Sequence, residues 1–239
     1  MFFSLFNSKH KIADTHILSN YTDYHCHLLP GVDDGVKTAD VTLQLLDLMQ
    51  QQGVREVWFT PHIMEDIPNR PDDLRQRFQQ FQGFMENPQP STLNLHLAAE
   101  HMLDSCFHLD SAKQLRLPHN QLLVETSYLS PPYNLKQQLK TILQEGIFPL
   151  LAHPCRYNYM QLDDYDQLHD MGVHFQLNLP ALTGLYGPIA KKKAEWILSK
   201  GYYSVTGTDT HSLKAYQTFL ESDISSKTLK LLQQVISGF

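Results

Sequence analysis

A parallel β/α barrel is the fold this sequence predicts, on three observations. Short apolar runs alternate with amphipathic helical stretches through a chain of 239 residues. That rhythm implies parallel strands joined by right-handed crossovers. Six of the seven apolar runs end in an imidazole or a carboxylate, and barrels of this class gather their chemistry at the carboxyl ends of strands. No glycine-rich phosphate loop follows the first run, so a doubly wound open sheet is the weaker alternative.

The elements follow in order. Strands are expected at 21–25, 56–60, 93–98, 121–125, 148–152, 173–178 and 202–206. Thr38 caps a first helix, which runs to Gln52 with Val41, Leu45, Leu48 and Met49 on one stripe and stops at Gly53. Pro71 opens a second, carrying Leu74, Phe78, Phe81 and Met85. Residues 135–145, 162–171 and 188–200 make three more, stopped by Gly146, Gly172 and Gly201. A short helix covers 213–220, and 226–237 closes the chain with Leu229, Leu232, Val235 and Ile236 on its apolar face. Residues 1–20 read as an N-terminal extension, and 21–239 as a single domain carrying the chemistry.

Composition bounds the function. The chain is 42% hydrophobic, enough for one sizeable core, with a net charge of -6. No long basic run is present, which argues against nucleic-acid binding. Lys191, Lys192 and Lys193 read as a solvated helix face. Cys26, Cys106 and Cys155 are sparse and odd in number, without a CxxC, which fits a reducing, cytoplasmic setting. The tip from Met1 to Phe6 lacks a basic region and is too short for a signal peptide. It reads as a tail that packs on the body or stays loose, with a weak interfacial contact as the alternative. No apolar stretch approaches the ~20 residues of a membrane span, and oligomerisation is left open.

The 13 histidines raise the prospect of metal ligation. His25 and His27 lie two apart, on one side of a strand, so both reach one ion. The loop after them brings Asp33 and Asp34, which compete for one role; the loser is a turn residue before Gly35. Further strand ends bring His62, Glu100, Glu125, His153, Asp209 and His211. Nitrogen and oxygen donors suit Zn, Mn or Fe. They exceed the need of one ion, so a cluster of two or three ions follows. Such clusters hydrolyse: the ions acidify a bound water and clamp the attacking and leaving oxygens. Three divalent ions against Asp34, Glu100, Glu125 and Asp209 leave a cationic pocket, and Arg156 adds a fork suited to phosphate. Glu125 has an alternative reading as a buried acid that orients a ligand. His101 is expected to point away. His10, His16, His96, His108, His119, His169 and His174 read as surface or packing residues, and Cys26 and Cys155 as small buried ones. No cysteine is followed six positions later by arginine, and no GxSxG or Walker A run is present.

Taken together, HCHLLPGVDDG, FTPH, Glu100, Glu125, AHPCR and GTDTH resemble the PHP (polymerase and histidinol phosphatase) superfamily. More narrowly, the chain is similar to the bacterial manganese-dependent protein-tyrosine phosphatases of capsular and exopolysaccharide operons. The resemblance runs from about Asp23 to His211. It implies a distorted (β/α)7 TIM-like barrel with three divalent ions, Mn first and Fe or Zn as alternatives. Carried over, His25, His27, Glu100 and Asp209 would hold one ion. Glu100 would bridge to a second, completed by Glu125 and His153. Asp34, His62 and His211 would hold the third, and Arg156 would sit on the phosphate, with Asp34 and His211 beside the chemistry. Four departures stand out: Ile63 after His62, Cys155 where Glu is usual, and Thr208 and Thr210 for Ser and Ala. Cys155 bears on how Arg156 is held.

The expected reaction is hydrolysis of phosphotyrosine. The resemblance implies a protein substrate, the tyrosine-rich tail of a membrane-bound kinase controlling polysaccharide export. The loops 63–70 and 126–134 would flank the site, with Tyr128, Tyr133 and Tyr157 as candidates to pack the substrate ring. The nearest alternative is a small-molecule phosphatase of histidinol-phosphatase type. A nuclease lacks its basic groove, an amidohydrolase would need a bridging Lys where Glu125 stands, and a metal-stabilised binding module would not need so complete a donor set.

Overall fold

The computed structural model describes residues 8–85, 93–110 and 113–236. The tip from Met1 to Phe6 lies outside them. Seven extended runs form the parallel strands, two of them broken. They are β2 (Tyr21–Cys26), β3 and β4 (Val54–Phe59, His62–Ile63), β5 and β6 (Asn94–Leu97, Glu100–Met102), β7 (Gln121–Glu125), β8 (Phe148–Leu151), β9 (His174–Asn178) and β10 (Tyr203–Gly207). A short antiparallel pair, β1 (Lys9–Lys11) with β11 (Asp223–Ser225), lies apart from them. The break between β3 and β4 falls at Thr60–Pro61, where proline supplies no ladder donor.

The strands pair as two parallel sheets, β10-β9-β8-β7-β6-β4 and β2-β3-β5. The breaks join them: Ala98 N–H donates to Phe59 O at 2.9 Å and Glu100 N–H to Pro61 O at 3.1 Å. At the other side the end of β2 meets the segment after β10. Asp209 N–H donates to His25 O at 2.7 Å, and His27 N–H to Thr210 O at 2.9 Å. The end of β2 is thus held by β3 on one side and by the segment after β10 on the other.

The helices are α1 (Ala39–Gln51), α2 (Pro71–Met85), α3 (Leu135–Gln144), α4 (Leu162–Asp170), α5 (Leu179–Thr183), α6 (Gly187–Lys200), α7 (Leu213–Glu221) and α8 (Ser226–Ile236). The Thr38 hydroxyl accepts from Val41 N–H, as its cap position predicts. Leu74, Phe78 and Phe81 are buried on α2, and Phe78 meets Phe59 edge-on at 5.6 Å. Strand parity divides the core. Leu122 and Val124 join the large cluster that includes helix side chains such as Leu45, Leu139 and Ile197. Leu123 faces the other way, into a small cluster with Ala98, Leu150, Ala152 and Val205 that holds no helical residue.

Elements outside the sequence expectation include β1, β4, β6, β11 and α5. β1 and β11 are three-residue strands without apolar alternation, and α5 is too short to show a period. Lys193 corrects the reading of a solvated lysine face: its ammonium donates to Tyr157 O at 2.7 Å.

Candidate metal centre

The carboxyl ends of the strands bring His25, His27, Asp34, His62, Glu100, Glu125, His153, Asp209 and His211 into one cluster. Three overlapping groups within it could each hold an ion: His27, Asp34, His62 and His211; His25, His27 and Glu100; and His62, Glu100 and Glu125. In each group the donor atoms lie within 4.8 Å of one another. Glu100 is the hub. Its Oε2 is 3.1 Å from His25 Nε2, 3.3 Å from His27 Nε2 and 3.3 Å from His62 Nδ1, while Oε1 is 2.9 Å from His153 Nε2. Glu125 lies 3.0 Å from His62 Nδ1 and 3.7 Å from His153 Nε2. Asp34 Oδ1 is 3.5 Å from both His62 Nε2 and His211 Nε2.

Backbone geometry sets this convergence. His153 and Asp209 both take left-handed φ, 33° and 54°, although neither is glycine. Strain of that kind persists only where the surroundings over-determine it. Two glycines let the strands approach. A Cβ on Gly207 would lie 2.5 Å from His25 Cβ, and one on Gly35 2.2 Å from His27 O. Each position therefore admits only a hydrogen.

A second layer aims the imidazoles. Asp33 takes His27 Nδ1–H at 2.9 Å, Gln176 Oε1 takes His25 Nδ1–H at 3.2 Å, and the Asp209 carbonyl takes His211 Nδ1–H at 2.9 Å. All three rings thus turn Nε2 inward, the arrangement in which a neighbour fixes tautomer and direction. Gln176 also accepts from His153 N–H at 2.9 Å.

The cluster is electrostatically crowded. Burial works against a charged imidazole at His25, but the Glu100 and Asp209 carboxylates hold it up at about 9. Burial likewise opposes charge on His62 and His211; Glu125 and Glu100 raise the first to about 9, and Asp34 and Asp209 the second to about 9. Hydrogen bonding from His211 holds Asp34 far below the usual carboxylate range. Burial, then the Glu100 charge, pushes Glu125 up. His62 Nδ1 and Glu125 Oε1 are buried and face one another without a hydrogen bond.

Arg156 stands at the rim. It pairs with Asp209 Oδ2 at 2.8 Å, an oxygen also held by Asn178 Nδ2 at 2.9 Å. Asp209 Oδ1 instead faces His25, His27 and His211, each at 3.5 Å. The guanidinium packs on two rings, its carbon 4.3 Å from the centroid of Tyr128 and 4.5 Å from that of Tyr186.

Comparison with known proteins fits this arrangement. Residues 21–230 match the model of a family described as capsular polysaccharide synthesis, CpsB/CapC. The chain belongs to the CpsB/CapC family. It is 27% identical over 218 residues to the tyrosine-protein phosphatase CpsB of Streptococcus pneumoniae, covering 86% of this chain and 89% of that protein. It is 24% identical over 200 residues to the tyrosine-protein phosphatase YwqE of Bacillus subtilis, covering 80% and 78%. Its fold superposes with a TM-score of 0.77, at 20% identity and over 91% and 92% of the two chains, on a solved structure. That structure belongs to work on YwqE and CpsB, described there as unique metal-dependent tyrosine phosphatases.

Several side chains of this CpsB/CapC member differ from the sequence expectation. Asp33 is more than a turn residue: it is buried and also accepts from Gly35 N–H at 3.0 Å and His62 N–H at 3.1 Å. Tyr157 does not reach a substrate. It is 0% exposed and donates its O–H to Ala152 O at 3.0 Å. Tyr133 is fully exposed, and only Tyr128 of the three stands beside Arg156. Cys155 is buried and burial pushes its thiol up to about 12; Arg156 is held by Asp209 and two rings in place of a neighbouring Glu. Thr208 donates to buried Asp23 at 2.6 Å, and its hydroxyl lies 2.7 Å from that of Thr210. Burial pushes Asp23 up to about 6 against those bonds. His101 is buried with Nδ1 3.3 Å from Leu123 O, turned from the cluster.

Gln176, Asn178, Asn69 and Tyr186 escape sequence reasoning. Asn69 holds the His62 loop, donating to His62 O and Val32 O at 2.9 Å each. Amides and tyrosines carry no ligand signature, and Gln176 lies within a strand and not at its end.

Proposed function

We propose that this protein is a metal-dependent protein-tyrosine phosphatase. The observation that carries the reading is a cluster of five imidazoles and four carboxylates converging beside a ring-clamped arginine, in a CpsB/CapC chain. The donor set fits divalent ions: inward-turned Nε2 atoms, a hub carboxylate, and a buried His62 Nδ1 and Glu125 Oε1 only 3.0 Å apart. His25, His27, Glu100 and Asp209 would hold one ion, Glu100, Glu125 and His153 a second, and Asp34, His62 and His211 a third. Manganese is the first choice on the family resemblance alone; the nitrogen and oxygen donors suit Fe or Zn as well. When bound, such ions supply Lewis acidity and an activated water.

The chain's own residues do the rest. Arg156 presents a planar N–H fork to the phosphate and stabilises charge that grows on its equatorial oxygens. Tyr128 and Tyr186 pack on that fork, and Asp209 pairs with one of its nitrogens. The departing phenolate has a pKa of ~10, so it leaves with little help from a general acid. The linked ends of the two sheets support a ring of seven strands closed into a distorted barrel, with the Leu123 cluster inside it, as the single domain 21–239. A cytoplasmic enzyme acting on the tail of a membrane-bound tyrosine kinase is the setting this reading implies.

The test compares phosphate release from a phosphotyrosine peptide, a phosphoserine peptide and histidinol phosphate, with manganese and with chelator. Chelator-sensitive release from phosphotyrosine above the other two supports the proposal. Preference for histidinol phosphate would move the function to small-molecule metabolism.

A further inference from the structure

A cleft of about 340 Å³ opens beside the cluster, between the α5–α6 turn and the first turns of α7. Its walls include Leu185, Tyr186, Asp209, Lys214, Ala215 and Phe219. Two of these also hold Arg156. Asp209 pairs with it at 2.8 Å, and the Tyr186 ring lies 4.5 Å from its guanidinium carbon. The cleft and Arg156 therefore share two neighbours, Tyr186 and Asp209. Leu185 is 43% exposed and Ala215 faces solvent, so this apolar wall is open to a ligand.

We propose that this cleft receives the aryl ring of the substrate, with Tyr186 touching both that ring and the arginine that holds the phosphate. The inference rests on the phosphatase reading above. A phosphate seated on the fork of Arg156 tethers the ring of its ester within one bond of the ester oxygen. Tyr128, one of the two rings on the guanidinium, packs back toward His153, its ring 5.6 Å from that imidazole. The other ring, Tyr186, lines the cleft. Apolar walls with a few polar groups are what a flat ring requires. Lys214 at the mouth suits an acidic residue next to the phosphotyrosine. A phosphoserine carries no ring to fill the space, so the cleft selects aryl esters beyond the advantage of their leaving group.

A second cleft, of about 350 Å³, lies on the His62 side and is lined by Ile63, Met64, Cys106 and Phe107. None of Tyr128, Tyr186 and Asp209 lines it, so nothing connects it to Arg156.

The test fills each cleft in turn. Ala215→Trp blocks the first from an exposed helical position, and Cys106→Trp blocks the second from an exposed loop. The assay measures kcat/KM in manganese for a phosphotyrosine peptide and for acetyl phosphate, which carries no ring. Ala215→Trp is expected to lower the ratio of the two about tenfold or more, mainly through KM for the peptide, at an unshifted thermal midpoint. Cys106→Trp is expected to leave the ratio within about twofold. An unmoved ratio in Ala215→Trp, or a fall in Cys106→Trp instead, would overturn the assignment. Wild-type protein that releases no phosphate from the peptide would overturn the phosphatase reading and this cleft with it. That result is separable from an active wild-type enzyme whose ratio is unmoved by Ala215→Trp.

Discussion

Asp33→Asn is expected to weaken manganese binding about tenfold to a hundredfold while removing no proposed ligand. The magnitude follows from three contacts. Asp33 Oδ2 takes His27 Nδ1–H at 2.9 Å and His62 N–H at 3.1 Å, and Oδ1 takes Gly35 N–H at 3.0 Å. Burial favours the neutral acid, but His27 and the two amides outweigh it and hold Asp33 below the usual carboxylate range. It is therefore ionised at neutral pH, and its bond to His27 is charge-assisted. Asparagine is neutral and turns an amide toward one of those donors whichever way it is placed. Losing one charge-assisted bond costs about 1.5–3 kcal/mol, and ~1.4 kcal/mol is a tenfold change in affinity. Calorimetric titration of manganese into chelator-stripped protein measures the effect, with kcat read at saturating metal. The expected result is a raised Kd and a kcat that largely recovers. An unchanged Kd would refute the claim that Asp33 aims a ligand, and a lost kcat at unchanged Kd would put Asp33 in the chemistry itself.

Three further outcomes are expected. Gly207→Ala forces a Cβ to 2.5 Å from His25 Cβ and 2.9 Å from His25 N; overpacking there is expected to cost about 1–3 kcal/mol, seen as a lower midpoint in scanning calorimetry, and an unmoved midpoint would refute the close approach of β2 and β10. Arg156→Lys keeps the charge but loses the planar fork and both ring contacts, so kcat/KM on phosphotyrosine is expected to fall about a hundredfold or more at unchanged bound metal; retained activity would remove Arg156 from the phosphate. Cys155→Ser is expected to keep kcat within about twofold, because burial pushes the thiol up to about 12 and so keeps it protonated and unreactive; a large loss would mean that residue 155 sets the arginine after all.

The strands and helices were legible because each carries a local signal: an apolar run, a capping Thr38, a glycine stop. The convergence of the nine expected donors was legible because eight of them fall at or shortly after strand ends, where chain direction brings them to one face, and the ninth, Asp34, lies on the loop after the first strand. What lay beyond reach is pairwise and long-range. Gln176 meets His25 across 151 residues, and Asn178 meets Asp209 across 31. Neither residue type announces a role, and only the pairing of strands brings them together. Asp33 and Asp34 look alike in sequence; geometry separates them, since Asp33 turns inward to an imidazole Nδ1 while Asp34 stays largely exposed between His62 and His211. Tyr157 was a candidate to pack the substrate ring, yet the turn after His153 sends it into the core.

Whether the cluster is catalytic is decided by following phosphate release from a phosphotyrosine peptide while manganese is titrated into chelator-stripped protein, alongside His153→Ala. A catalytic cluster gives no turnover in the stripped protein, activity that rises with bound metal, and little recovery in the variant. Full turnover by stripped protein, or by His153→Ala at the same metal, would contradict it.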